Sequence, residues 1–253
     1  MLRALIFDVD GTLADTERDG HRVAFNRAFA DAGLDWHWDS RRYGELLRVA
    51  GGRERIAHFI ESGAPEIPQG ERDALARQLH AHKTNHYLRM IDEGAVHLRP
   101  GVARLLSEAH DAGLTLAIAT TTSRANVVAL LEHALPRGAL GWFTVIGAAE
   151  DAPRKKPDPQ VYAIVLERLA LSPDECLAFE DSEAGLRSAL AAGLRTIVTV
   201  NDYTRDQDFS DALSVISDLG EPEKSSRVLR GLPLRGSLVN VEQLHEWHLS
   251  STR

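Results

Sequence analysis

The chain has 253 residues, 43% of them hydrophobic, and carries 37 Asp and Glu against 29 Lys and Arg, a formal net charge of −8. That apolar content suffices for one large α/β domain, or a medium domain with a smaller insertion, and excludes a disordered or fibrous chain. The acidic balance argues against a sequence-independent grip on nucleic acid or on an anionic membrane, so neither is expected as a partner.

The first element is a strand over Ala4 to Val9, whose apolar run ends in Asp8-Val9-Asp10-Gly11-Thr12. A strand period of two puts Asp8 and Asp10 on one side where the hydrophobic stretch stops. Paired carboxylates at a strand end suit a shared proton, a hard divalent cation, or a nucleophile beside its acid/base. The same residues also make an ordinary turn after a strand. From Asp15 to Pro100 there are helical patterns but no convincing strand. This interval reads as an insertion of about four helices, whose two covalent connections permit lid motion. Within it, Glu17 and His21 follow the first motif at helical spacing and could reach over the site. Gly51-Gly52-Arg53-Glu54-Arg55-Ile56 reads as a glycine turn opening a helix, fit for an anionic group or simply solvated. Arg53 and Arg55 can engage one ligand together only if Arg53 still lies in the turn. His82 and His86 are four apart, but the stretch lacks the glutamate of the zinc metalloprotease motif, so zinc is set aside.

Beyond the insertion, Gly101 to Ala112 has a helical stripe with Gly113 at its C-terminal cap, followed by a strand over Leu114 to Ala119. Thr120, Thr121, Thr122 and Ser123 come next, hydroxyls that suit the cap of a helix beginning near Ala125. Thr120 also stands on the sheet edge from which Asp8 and Asp10 emerge. A strand over Phe143 to Ile146 leads to Arg154-Lys155-Lys156-Pro157, where Pro157 keeps Lys156 out of helical geometry beside a helix start. A solvated basic loop is the alternative. Asp158 and Pro159 suit the N-cap and first position of a helix with the stripe Tyr162, Val165, Leu166 and Leu169. The strand Cys176 to Phe179 begins with the single cysteine, read as a core residue, and runs into Glu180-Asp181-Ser182, a second acidic pair suited to hard-cation ligation. A helix with Leu186, Ala189 and Leu190 ends at Gly193, and strands are expected over Thr196 to Val200 and Leu213 to Ile216. Strands alternating with helices imply a parallel sheet with ligands beyond its carboxyl ends. Residues 221–253 open with a linker-like run and are weakly patterned, a tail without an assigned role. No stretch has membrane-span length and no signal-peptide profile is seen, so a cytoplasmic monomer is expected.

Four strand ends that deliver carboxylates, a hydroxyl, a lysine and further carboxylates, in this order, resemble the haloacid dehalogenase superfamily from Leu2 to about Leu219. The resemblance implies a Rossmann-like parallel-sheet α/β core, residues 1–15 and 96–220, with an inserted α-helical cap domain, residues 16–95. It implies that Asp8 is the nucleophile and Asp10 the acid/base, with Thr120 orienting a phosphoryl oxygen and Lys156 meeting its charge. It also implies Mg²⁺ held by Asp8, the Asp10 backbone carbonyl and Asp181, with Glu180 a ligand or its neighbour.

Within the superfamily, the stretches Glu17-Arg18-Asp19-Gly20-His21-Arg22, Trp38-Asp39, Tyr43-Gly44-Glu45-Leu46-Leu47, Gly51-Gly52-Arg53-Glu54-Arg55 and Asn201-Asp202-Tyr203-Thr204 resemble the CbbY-type sugar-phosphate phosphatases. That implies hydrolysis of a small phosphorylated sugar, xylulose-1,5-bisphosphate, through a phosphoaspartate. The implied substrate contacts are Glu17, Gly51, Gly52, Arg53, Arg55, Thr121, Thr122 and Asn126. The stretch Lys83-Thr84-Asn85-His86-Tyr87 resembles the cap of β-phosphoglucomutase, and His21, Arg53 and Lys83 suit that relative as well. A mutase hands the phosphoryl group to a sugar hydroxyl and a phosphatase to water. Phosphoglycolate phosphatase completes the set of alternatives.

Overall fold

The computed structural model describes residues 1–63 and 67–250. The chain divides into two compact units, one of Met1–Asp15 with His97–Arg253 and the other of Thr16–Val96. The larger unit is built on a seven-stranded sheet, β1 (Ala4–Phe7), β2 (Thr115–Ala119), β3 (Phe143–Gly147), β4 (Cys176–Glu180), β5 (Arg195–Thr199), β6 (Ser214–Ile216) and β7 (Val228–Gly231), in the order β3-β2-β1-β4-β5-β6-β7. All neighbours are parallel except β6 and β7. β1, the middle of the parallel part, is buried throughout, so it reads as an unbroken apolar run with no alternation. The first strand stops two residues short of Val9, although the Asp8 N–H still bonds the Phe179 carbonyl at 3.0 Å. The Val9 carbonyl then accepts from the N–H groups of Thr12, Leu13 and Ala14, which turns the chain away from the sheet at once.

The helices of this unit cover the sheet. α5 (Val102–Asp111) and α7 (Gln160–Leu169) pack on β2, α7 also on β3, and α8 (Glu183–Ala191) on β4 and β5. Val161, Tyr162, Val165 and Leu166 of α7 are buried in one cluster with Ala4, Ile6, Ala117 and Ala178, each large side chain contributing roughly 1.5–3 kcal/mol. α7 starts one residue later than the Asp158 and Pro159 pattern suggests, and the Asp158 carboxylate accepts from the Gln160 N–H at 2.9 Å. α6 (Arg124–Ala134) is capped by Ser123, whose hydroxyl accepts from the Asn126 N–H. Cys176 is a buried core residue, and burial pushes its thiol up to about 12, which keeps it unreactive.

The tail is part of this fold. Glu221 and Lys224 close a turn through both their backbone N–H groups, β7 adds an antiparallel edge to β6, and α9 (Val241–Ser250) packs on α5. The Glu221 carboxylate accepts from Gly101 N at 2.7 Å, at the start of α5. The run that looks like a linker is therefore a turn whose Glu221 caps α5, and it leads into a sheet edge.

The smaller unit holds α1 (Arg22–Asp31), α2 (Ser40–Leu46), α3 (Gly52–Gly63) and α4 (Arg72–Asp92) among its described residues. Its core is aromatic, with Trp38 surrounded by Phe25, Phe29, Tyr43 and Phe59. Glu17 to His21 form a π-helical turn instead of the α-helical spacing expected of them, with Gly20 set close against the Tyr87 ring. Among the described residues, no helix is long and apolar enough to cross a membrane.

Candidate active site

The carboxyl ends of β1, β2 and β4 bring together residues far apart in the chain. Because β1 and β4 pair in register, Phe7 against Phe179, the next residue on each chain, Asp8 just past β1 and Glu180 at the last position of β4, stand side by side. Lys156, from the loop before α7, inserts its ammonium between them. Nζ donates to Asp8 Oδ1 at 2.6 Å, Glu180 Oε1 at 2.7 Å and the Ala119 carbonyl at 2.8 Å. The loop is thus not a solvated basic segment at this position, since Lys156 is only 7% exposed. An ammonium with three acceptors has all its N–H donors in use.

Burial alone would lower the Lys156 ammonium, but the carboxylates of Asp8 and Glu180 outweigh it and hold the group well above the usual lysine range. Burial pushes Asp8 up to about 7, against the pull of Lys156, and the charges of Glu180 and Asp10 add to the rise. The Tyr162 hydroxyl donates to Glu180 Oε1 at 2.6 Å, and burial, then the Glu180 charge, hold it protonated. Thr12 Oγ1 lies 3.5 Å from Asp8 Oδ2. Thr120 is buried at the end of β2, where its hydroxyl accepts from Thr122 N at 3.3 Å. Asn126 is also buried, its amide nitrogen 3.5 Å from Thr122 Oγ1 and its Oδ1 without a protein partner.

Asp8, Glu180 and Asp181 each offer a carboxylate oxygen, and these lie within 4.8 Å of one another. Asp8 and Glu180 share the Lys156 ammonium, and Asp181 and Asp10 add further negative charge beside them, a surplus for which a divalent cation is the natural complement. The donors are all hard oxygen, so the residues present fit Mg²⁺. Asp181 is oriented by Asn201, whose Nδ2 donates to Oδ2 at 2.6 Å. Two glycines make the cluster possible. A Cβ on Gly11, at φ +82°, would fall on the Asp181 carboxylate, and one on Gly185 would fall inside that of Glu180. Tyr162, Asn201 and Gly185 have no assigned role in the sequence reading. The helical stripe accounts for Tyr162 as core, and the Gly three residues after Ser182 carries no signal until Glu180 is known to turn back toward it.

In the helical unit, the Tyr43 hydroxyl donates to Glu17 Oε2 at 2.5 Å and accepts from Arg55 at 3.2 Å. Arg55 also donates to the Leu46 carbonyl at 3.1 Å and is buried. Arg53, inside α3 and not in the turn, points elsewhere, exposed and 3.5 Å from Glu54. The pair therefore does not form a joint clamp, as residues two apart on a helix face different ways. Gly51 has φ +97°, and Gly52 lets α3 approach the His80 ring. Lys83 is buried between the Phe25 and Tyr87 rings, with Nζ 2.9 Å from His21 Nδ1. His86 pairs with Asp31 at 2.6 Å.

The model of one family, described as haloacid dehalogenase-like hydrolase, matches residues 2–193. The chain belongs to the haloacid dehalogenase-like hydrolase family. It is 47% identical over 249 residues to the plasmid form of protein CbbY from Cupriavidus necator, covering 98% of this chain and 97% of that one. It is 40% identical to a CBBY-like protein of Arabidopsis thaliana, over 94% of this chain and 76% of that one. The crystal structure of CbbY from Rhodobacter sphaeroides in complex with phosphate superposes with a TM-score of 0.78 at 43% identity, covering 86% of this chain and 95% of that one. A mutant of the same protein, crystallised with xylulose-(1,5)bisphosphate, matches equally well. A β-phosphoglucomutase of Clostridium difficile, 21% identical with a TM-score of 0.72, shares the fold. This haloacid dehalogenase-like hydrolase is thus an enzyme of the CbbY-like subgroup.

One prediction tests the packing behind its cluster. Gly185→Ala adds a methyl group where the Glu180 carboxylate lies, and despite the better helix propensity of alanine it is expected to destabilise the fold by about 1–3 kcal/mol. It should also abolish most hydrolase activity, because Glu180 must move. A urea melt and an activity assay check this, and a variant indistinguishable from wild type in both would refute it.

Proposed function

We propose that this enzyme is a Mg²⁺-dependent phosphatase that hydrolyses a sugar bisphosphate, xylulose-1,5-bisphosphate, through a phosphoaspartate on Asp8. The observation that carries the reading is the junction of Asp8, Lys156, Glu180 and Asp181 at adjoining strand ends, in a chain 43% identical to a protein crystallised with xylulose-(1,5)bisphosphate. Asp8, Glu180 and Asp181, with the Asp10 backbone carbonyl, would hold Mg²⁺. When bound, the cation would supply the positive charge that lets a carboxylate approach a phosphate dianion.

In this reading the Asp8 carboxylate oxygen bonds to phosphorus as the bond to the sugar oxygen breaks, and Asp10 gives that oxygen its proton. Asp10 then takes a proton from the water that attacks the phosphoaspartate, which releases phosphate and restores Asp8. Lys156 offsets charge on the transferring group, and Thr120 orients one of its oxygens. Thr121, Thr122 and Asn126 line the same strand end, and the buried, unpartnered Asn126 Oδ1 is an acceptor suited to a substrate hydroxyl or a water. Substrate recognition falls to Glu17, His21, Gly51, Gly52, Arg53, Arg55 and Lys83 of the helical unit. The exposed Arg53 is the cation most able to change partners, because Arg55 and Lys83 are held by packed neighbours.

A substrate panel with Mg²⁺ tests the reading: xylulose-1,5-bisphosphate, ribulose-1,5-bisphosphate, 2-phosphoglycolate and β-glucose-1-phosphate, scored for phosphate release and for isomerisation. Xylulose-1,5-bisphosphate is expected to be hydrolysed fastest. Isomerisation without net phosphate release would overturn the phosphatase reading in favour of a mutase. In the same assay, Arg53→Ala should raise KM for the bisphosphates by about tenfold and leave the monophosphates within twofold, the loss of one charge-assisted contact. An equal effect on both classes would remove the second phosphate from Arg53.

A further inference from the structure

Tyr162 is fully buried in the core beneath β2 and β3, yet it carries a polar atom that meets the reaction centre. Its hydroxyl and the Lys156 ammonium both donate to Glu180 Oε1, at 2.6 and 2.7 Å, so both lone pairs of that oxygen are in use. Lys156 Nζ also stands 5.1 Å from the Tyr162 ring centroid, a cation held over an aromatic face. On its other side Glu180 Oε2 fills the space left by the missing side chain of Gly185 and lies 3.4 Å from Asp181 N. The carboxylate is therefore held on both oxygens and has nowhere to swing.

This confinement bears on a difficulty in the site. All three Lys156 N–H donors are spent on Asp8, Glu180 and the Ala119 carbonyl, so the ammonium can meet a phosphoryl oxygen only by releasing one of them. Ala119 O belongs to β2 and is fixed by the sheet. Glu180 is fixed by Tyr162 and the bare backbone of Gly185. Asp8 alone changes state during the proposed reaction, since the carboxylate becomes an acyl phosphate ester and loses the charge that draws Lys156.

We infer that Tyr162 is a positioning residue for phosphoryl transfer: its hydroxyl fixes Glu180, and through it Lys156, so that the bond Lys156 exchanges for the incoming phosphoryl group is the one to Asp8. The inference rests on the phosphatase reading above.

Tyr162→Phe tests this, because it keeps the ring, the core volume and the cation–π contact and removes only the donor. The expected result is a fall in kcat of about tenfold with KM within twofold, together with Mg²⁺ binding to the substrate-free enzyme weakened about tenfold by calorimetry. In a Glu180→Gln background the same substitution should cause no further loss of kcat, since the hydroxyl acts through that carboxylate. A purely structural hydroxyl would lower the melting temperature and leave the Mg²⁺ isotherm unchanged. An unchanged isotherm, or losses that simply add in the double variant, would overturn the inference. The calorimetric arm needs no turnover, so it decides the role of Tyr162 even if the wild-type enzyme hydrolyses no phosphosugar, a result that would sink the phosphatase reading instead.

Discussion

Asp8→Asn is expected to lower turnover by at least about 10⁴-fold while the chain stays folded, because an amide of the same shape cannot attack phosphorus. The stability half of the expectation follows from the charge arrangement. In the absence of a cation, Asp8 shares Lys156 with Glu180 and lies close to the charges of Asp10 and Asp181, and burial already pushes it up to about 7. Replacing it removes like-charge repulsion while the amide oxygen can still accept from Lys156, so the metal-free melting temperature should stay level or rise. Mg²⁺ should then stabilise the variant less than it stabilises the wild type, having lost one ligand. Thermal melts with and without Mg²⁺, alongside phosphate release and trapping of labelled phosphate on the protein, read all three. Turnover within tenfold of wild type, or label retained by the variant, would move the nucleophile to another residue.

The second large effect is on folding. Arg99→Ala is expected to destabilise the α/β unit by about 4 kcal/mol, with a fall in melting temperature of about 10 °C. Arg99 is buried, and its guanidinium donates to the carbonyls of Gly11, Thr199, Val200 and Ser217 and to the Thr199 hydroxyl, with an ion pair to Asp15 at 3.2 Å. Its own N–H bonds the Leu13 carbonyl at 2.9 Å, and Ala14 and Leu98 form a β-bridge beside it. One side chain thus ties the loop after β1, the ends of β5 and β6, and both connections to the helical insertion. Its removal leaves several buried acceptors without a donor, each a desolvation penalty. Arg99→Lys should fall between the two, since an ammonium cannot reach in the planar fork that a guanidinium provides. Equilibrium unfolding in urea measures the loss, and a value under about 1 kcal/mol would show that these carbonyls find water or other donors.

Neither the carbonyl cluster on Arg99 nor the contact of Tyr162 with Glu180 is legible in the sequence. A single arginine between Leu98 and Pro100 has no pattern around it, and Tyr162 sits in a helical stripe where an aromatic residue is ordinary core. β7 escaped for a related reason: an exposed edge strand of four residues, Val228-Leu229-Arg230-Gly231, has neither the alternation nor the apolar run that marks a buried one. α9 does carry a stripe, with Val241, Leu244 and Trp247 buried, but it lies beyond a run that reads as a linker. Whether Arg53 lies in a turn or in a helix is not legible from Gly51-Gly52, and α3 begins at Gly52.

What the sequence determined by itself was local: six buried strands, the helices between them, a strandless helical insertion, and the acidic, hydroxyl and basic residues at the strand ends. Periodicity and turn chemistry write such features within a few residues of one another. Only the tertiary structure decided that Lys156, 148 residues from Asp8, is a buried three-way partner and not a solvated side chain, that Glu180 is held by Tyr162, and that the tail completes the sheet. Those contacts depend on the register between β1 and β4 and on the space that Gly11 and Gly185 leave empty, quantities that exist only once distant segments have packed together.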